Sequence, residues 1–260
     1  MRWTDIAVNL LSSQLAGAIG PTLKHAEAAG VHRVVALASD LAEATALQAI
    51  QADYPALKLT AGVHPHHASE WGSDRIDRLV RLMQHPAVIA IGECGLDYFR
   101  DYSSREAQRE AFEAQLELAV EHNRPLVLHC REAYDDFIPM VARYRDRLPG
   151  AVLHCFTGTG EELDAALGLD LHIGITGWIC DERRGTELRE LVTRIPDNRL
   201  LLETDSPYLL PRDLRPKPKH RRNEPANLPH IARTVAQLRS QSEQHLSEVT
   251  ETNVKQLFQL

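Results

Sequence analysis

Short apolar runs alternate along the chain with longer segments whose apolar residues recur every three or four positions. The runs Asp5–Val8, Arg33–Ala38, Lys58–Val63, Val88–Gly92, Pro125–Leu128, Ala151–Leu153, Leu171–Ile175 and Leu200–Leu202 read as strands. Val88-Ile89-Ala90-Ile91 is continuous rather than alternating, as expected of a parallel strand covered on both faces. The clearest helical segment lies between, from Ser103 to His122. Phe112, Leu116 and Val120 share one face there, and Ser103 with Glu106 fits a capping box. Eight such alternations, at about 30 residues per unit, predict an α/β fold, a single (β/α)8 TIM barrel spanning residues 1–260. A doubly wound open sheet is the alternative, but no G-x-G-x-x-G loop follows the first run. Two helices near Ala226–Arg239 and Glu243–Phe258 close the chain. The proline-rich, basic segment Pro207–Pro225 before them is long enough to be functional or disordered.

Composition narrows the class. No apolar run approaches the roughly 18 residues that a membrane-spanning helix needs, and Asp5 interrupts the one apolar stretch at the N-terminus. The four cysteines, Cys94, Cys130, Cys155 and Cys180, are widely spaced and form no C-x-x-C pair, so free buried thiols in a reducing cytoplasm are expected. A net charge of -7 excludes coating duplex DNA by bulk positive charge, while leaving room for a local basic groove.

Thirteen histidines make their positions the next question. Glu93, His129 and His154 each follow a predicted strand, Asp205 follows the last one, and His64 and His66 follow the third. The carboxyl ends of barrel strands converge on one face, so these residues would meet around one pocket. Two imidazoles and two carboxylates suit a divalent cation with positions left for water and substrate oxygen. A lone histidine there is more often a hydrogen-bonded structural residue, and a lone acid a helix cap. Four at separate strand ends point instead to Glu93, His129, His154 and Asp205 as metal ligands, without choosing among Mg²⁺, Mn²⁺ and Zn²⁺.

The segments Gly-Val-His-Pro-His (62–66), Ile-Gly-Glu-Cys-Gly-Leu-Asp-Tyr (91–98), Leu-His-Cys-Arg (128–131), Leu-His-Cys-Phe-Thr-Gly (153–158), Leu-Glu-Thr-Asp-Ser-Pro-Tyr-Leu (202–209) and Arg-Arg-Asn-Glu-Pro (221–225) occur in that order. Together they resemble the TatD family of metal-dependent deoxyribonucleases, within the amidohydrolase-like barrels. The stretch 174–185 makes the chain similar to the member that gives the family its name. The resemblance implies a 3′-to-5′ exonuclease on single-stranded DNA and RNA, with a role in turnover or repair of damaged DNA. It also departs in one place. The His-x-His that usually ends the first strand is replaced by Ala7 and Asn9. Alanine cannot ligate and asparagine offers only a neutral oxygen, so one firmly held cation is expected, with a second recruited alongside substrate phosphate. Magnesium is the ion expected in use, with manganese or zinc as alternatives.

The expected chemistry is hydrolysis of a phosphodiester, with Glu93 and Asp205 as the catalytic acids and Asp205 taking a proton from the attacking water. Glu203 would orient a ligand from behind, as Asn9 would beside the metal. His64, Tyr98, Arg131, Arg221 and Arg222 are the expected substrate contacts. Arg212, Arg215, Lys217, Lys219, Arg221 and Arg222 crowd the segment after Asp205, where they would draw an anionic strand end toward the metal. Asn223 would cap the next helix with Pro225 in its first turn. Tyr98, Phe99, Trp178 and Tyr208 are candidate surfaces for unpaired bases. The partner is thus a single-stranded DNA or RNA end, no membrane is involved, and a monomer is expected. The rivals are a small-molecule amidohydrolase (a deaminase, lactonase or cyclic amidase) on the same barrel and a silent nucleic-acid-binding scaffold.

Overall fold

In the computed structural model, which describes all 260 residues, the eight apolar runs become eight parallel strands in one sheet, hydrogen-bonded in chain order. They are β1 (Trp3–Val8), β2 (Val31–Ala36), β3 (Leu57–Ala61), β4 (Val88–Asp97), β5 (Leu126–Arg131), β6 (Ala151–Leu153), β7 (His172–Ile175) and β8 (Leu200–Leu202). The helices between them are α1 (Ile19–Ala28), α2 (Leu41–Gln51), α3 (Ser73–Met83), α4 (Arg105–Glu121), α5 (Tyr134–Ala142), α6 (Gly160–Gly168) and α7 (Thr186–Leu191). Two more, α8 (Leu228–Leu238) and α9 (Glu243–Phe258), follow β8. Just beyond their ends, β8 and β1 meet, where Asp205 N–H donates to the Ala7 carbonyl (3.0 Å) and Asn9 N–H to the Ser206 carbonyl (2.8 Å). The sheet is thereby drawn into a nearly closed (β/α)8 TIM barrel.

Side-chain alternation along the strands sorts the core into two clusters. Leu126, Leu128, Ala151, Leu153, Leu200 and Leu202 face outward and join a cluster of 58 buried residues shared with the helices. The residues between them, Val127, Val152 and Leu201, belong to a second cluster of 12. Ile6, Val35, Leu37 and Ile89 join it, as do Val254, Leu257 and Phe258 of α9. Strand period 2 makes this second cluster the filling of the barrel, with the end of α9 packed into it as a plug.

The regular pattern breaks in two places. Between Ile91 and Cys94, β4 carries one residue more than its partner β5, a bulge that falls on Gly92 and Glu93. Gly92 (φ +147°) and Gly95 (φ +139°) occupy backbone conformations that other residues rarely adopt, and a Cβ at Gly95 would overlap the His129 carbonyl. Glycine therefore lets β4 and β5 approach closely, and β4 runs on to Asp97 rather than stopping at Gly92 as its sequence suggests. The start of α4 also differs from expectation. Ser104, not Ser103, caps it by accepting from Ala107 N–H (3.2 Å). Ser103 is buried and binds elsewhere, accepting from Ser69 N–H and donating to the His66 carbonyl, so the box with Glu106 does not form.

The plug gives a direct test. Phe258→Ala removes a nearly buried ring from the barrel filling, at a cost of about 3–5 kcal/mol. In thermal unfolding we expect Tm to fall by roughly 6–20 °C; an unchanged Tm would mean that α9 does not seal the barrel.

Candidate metal centre

The alternation that puts Val127, Val152 and Leu201 inside the barrel carries His129, His154 and Glu203, two positions further on, to the same side. The bulge turns Glu93 inward beside them. Glu93 Oε1 lies 2.6 Å from His154 Nε2, 2.8 Å from His129 Nδ1 and 3.4 Å from His64 Nε2. Three imidazole nitrogens thus converge on one carboxylate oxygen. The cluster is nearly shut off from solvent, with the His154 side chain 3% exposed and that of Glu93 9%. Within it, potential ligand atoms of His64, Glu93 and His129 all lie within 4.8 Å of one another.

Each member is held from behind. His66 Nε2 lies 2.8 Å from Asp97 Oδ2, and His129 Nε2 3.5 Å from the same oxygen. His64 Nδ1 accepts from the His66 N–H (3.1 Å), so its other nitrogen faces Glu93. Glu203 is fully buried; its Oε1 accepts from Cys155 N–H, and its Oε2 lies 3.6 Å from His154 Nδ1. Gly174 makes room for it, because a Cβ there would meet the Glu203 carboxylate at 2.6 Å. Asp205 and Cys155 both take left-handed backbone (φ +51° and +50°), of the kind proteins tolerate where a functional group must be aimed. Asp205 Oδ1 accepts from Asn9 Nδ2 at 2.8 Å.

Burial and neighbouring charge set the ionisation of this cluster. Burial pushes Asp205 up to about 7, with Glu93 and Glu203 adding to it and His154 opposing. Burial pushes His64 down to about 4. Glu93 is held well below the usual carboxylate range against burial, by the imidazoles of His154, His64 and His129. His154 moves the other way against burial, raised by Glu93 and Glu203. The donors suit a divalent cation. Hard carboxylate oxygen and borderline imidazole nitrogen share one small buried space, with His129 Nδ1, His154 Nε2 and His64 Nε2 all turned toward Glu93.

The sequence model of a family described as TatD related DNase matches residues 4–259. The chain belongs to that family. It is 53% identical over 257 residues to the 3′-5′ ssDNA/RNA exonuclease TatD of Edwardsiella piscicida, which covers 98% of this chain and 99% of the relative. To the protein of the same name from Escherichia coli K12 it is 49% identical over 254 residues, 98% of each chain. The fold is shared with a hydrolase TatD family protein from Entamoeba histolytica (TM-score 0.89, 27% identity, 99% of this chain and 98% of the other). It is shared too with a TatD homologue from Escherichia coli K12 (TM-score 0.90, 24% identity, 100% and 98%).

For this TatD-family chain the structure brings Glu93, His129, His154 and His64 together, with Asp205, Asn9 and Glu203 around them. His64 thus stands among the candidate ligands, not only beside a substrate. Three expectations change. The Tyr98 hydroxyl donates to Asp136 (2.5 Å) and is thereby engaged within the protein. Arg222 pairs with Glu224 (2.9 Å) and donates to the Gln14 carbonyl, which ties down the chain rather than presenting a free cation. Asn223 is buried and donates to the Thr204 carbonyl (3.0 Å) instead of capping a helix. Arg131, by contrast, lies 3.7 Å over the Phe99 ring at the exposed end of β5, and Arg221 is exposed.

Asp97 and Asp5 are the residues that strand reading passed over. Asp5 is fully buried at the start of the barrel, accepting from Thr204 N–H (2.9 Å) with Thr204 Oγ1 2.6 Å from its other oxygen. Thr204 Oγ1 is in turn 2.6 Å from Ser206 Oγ, so β1 fixes both neighbours of Asp205. Burial pushes Asp5 up to about 8 from its ordinary 3.8. A group raised in this way contributes stability that is present below its ordinary value and lost as pH rises through about 8.

Asparagine reproduces the neutral acid, so Asp5→Asn is expected to match the wild type only below about pH 4 and to exceed its Tm increasingly from there toward about pH 8. Asp5→Ala leaves buried Thr204 groups unpaired and loses about 1–3 kcal/mol at either pH. Equal melting of all three proteins across that range would remove the network from the account.

Proposed function

We propose that this protein is a divalent-metal-dependent phosphodiesterase that removes nucleotides from the 3′ ends of single-stranded DNA and RNA. The observation that carries the reading is the convergence of His64, His129 and His154 on one oxygen of Glu93 at the mouth of the barrel. Its support from relatives is the name 3′-5′ ssDNA/RNA exonuclease TatD on proteins about half identical over nearly the whole chain. Glu93, His129 and His154 would hold the ion, with His64 beside them, and magnesium is the proposed ion. When bound, such a cation supplies a water of lowered pKa and offsets charge on the phosphoryl oxygens.

The remaining roles belong to the chain's own groups. Asp205, with one oxygen engaged by Asn9, takes the proton of the attacking water. Asp97 and Glu203 fix the rings of His129 and His154 from their far sides. Arg131, two residues past His129 and braced on Phe99, offers its guanidinium to a phosphate. The amidohydrolase alternative is disfavoured by Ala7, a buried methyl where that chemistry usually has a histidine. Four free thiols and no helix long and apolar enough to cross a membrane fit the cytoplasm.

On a 5′-labelled oligonucleotide, metal-loaded protein should give a ladder shortened one nucleotide at a time, abolished by chelation and restored by Mg²⁺. His129→Ala and His154→Ala should each lower turnover by more than about 100-fold, the loss that even the outer partners of metal ligands can cause, while far-ultraviolet circular dichroism stays native. Retained turnover in either variant would remove the metal assignment.

A further inference from the structure

Two loops at the site's rim meet to form a cleft of about 750 Å³. One follows β7 and contributes Trp178, Arg183 and Arg184; the other follows β8 and runs from Leu209 to Arg221. They are fastened together. Arg212 lies 3.4 Å from Asp181 and 3.5 Å from Glu182, and Gly177 sits so close to the Leu209 carbonyl that a Cβ would overlap it. Arg184 also binds Asp181 (2.9 Å). With Asp181 and Glu182 engaged in this way, Arg183, Lys217, Lys219 and Arg221 line the cleft without a carboxylate partner.

Isolated surface cations need no explanation, but four from two separate loops facing one concavity repel one another unless an anion lies between them. The protein as a whole is acidic, with a net charge of -7, so this is a local concentration of positive charge. Trp178 lines the same cleft, half-buried, with the Arg184 guanidinium 4.5 Å from its ring centre. An indole beside a guanidinium plane is a surface on which unpaired bases stack. The cleft is roomy, positive and partly aromatic, which matches several linked phosphates with bases better than a single small anion.

We infer that this cleft holds the backbone of the single-stranded nucleic acid on the 5′ side of the bond being cut. The inference rests on the exonuclease reading for its polarity. If the nucleotide at the metal centre is the 3′ terminus, the strand that remains must leave the pocket in the 5′ direction. Leu209, where the cleft begins, is four residues from Asp205 and so at most about 14 Å away along the chain. At about 3.4 Å per stacked nucleotide, the cleft therefore begins within roughly four nucleotides of the cut. A dinucleotide is too short to occupy it fully; a strand of about 12 nucleotides fills it.

The test compares these two lengths in the triple variant Arg183→Gln, Lys217→Gln, Lys219→Gln, with Mg²⁺ present. For the longer strand we expect KM to rise at least about tenfold, and the slope of log affinity against log salt to shrink by about 2, from three lost contacts at about 0.7 each. Hydrolysis of the dinucleotide should stay within about twofold of the wild type. Unchanged KM and salt slope on the long strand would overturn the cleft assignment, as would an equal loss on both substrates. Fluorescence anisotropy with the labelled long strand reads the cleft without turnover. If the wild type cut neither substrate, the nuclease reading would fail, and the cleft would still be judged by whether the variant binds the strand more weakly.

Discussion

The register of the strands governs everything above the barrel floor. With a side-chain period of two, the choice that buries Val127, Val152 and Leu201 inside the barrel also decides that His129, His154 and Glu203 point inward one layer higher. A slip of one residue in β5 would turn His129 toward the helices and Leu128 into the pocket. The apolar filling therefore does more than stabilise the fold: it fixes the aim of the polar layer above it. Glu93 is the exception, and its strand spends an extra residue at Gly92 and Glu93 to bring it into line.

That polar layer is costly to bury, and its composition shows how the cost is met. Glu93, Glu203, Asp205 and Asp97 are set against His64, His66, His129 and His154, so each acid in the interior has an imidazole or an amide at hand. Carboxylates grouped this closely without counter-charge would raise one another's pKa, and Asp205 is raised chiefly by burial, with Glu93 and Glu203 adding to it. Removing one partner strands the other in a low-dielectric interior, which costs more than the pair contributes. The same crowding of acid and imidazole is what a divalent cation requires, so the electrostatic problem and the binding site are one arrangement.

Much of this was legible in the chain itself. Eight apolar runs gave eight strands, and the polar residues at their ends supplied Glu93, His129, His154 and Asp205. Bounds failed where the backbone is irregular. Gly92 and Gly95 resemble the end of a strand, yet β4 continues past them to Asp97, so that acid escaped notice. Partnerships across the fold were invisible for another reason: Asp5 and Thr204 are 199 positions apart, and nothing local marks them as neighbours. Arg222 looked like its neighbour Arg221 until the nearby Glu224 and the distant Gln14 claimed it. Charge runs reveal a potential contact but not which members are already engaged.

The end of α9 has a consequence for how the molecule comes into being. Val254, Leu257 and Phe258 belong to the filling that the strands begin, and they are the last part of it to leave the ribosome. Until they arrive, the inner faces of β1 through β8 can assemble around an unstoppered channel, wet from below. Maturation of the pocket is thus tied to the arrival of α9: a nascent chain without it has most of the wall, but not yet the dry base on which the histidines stand.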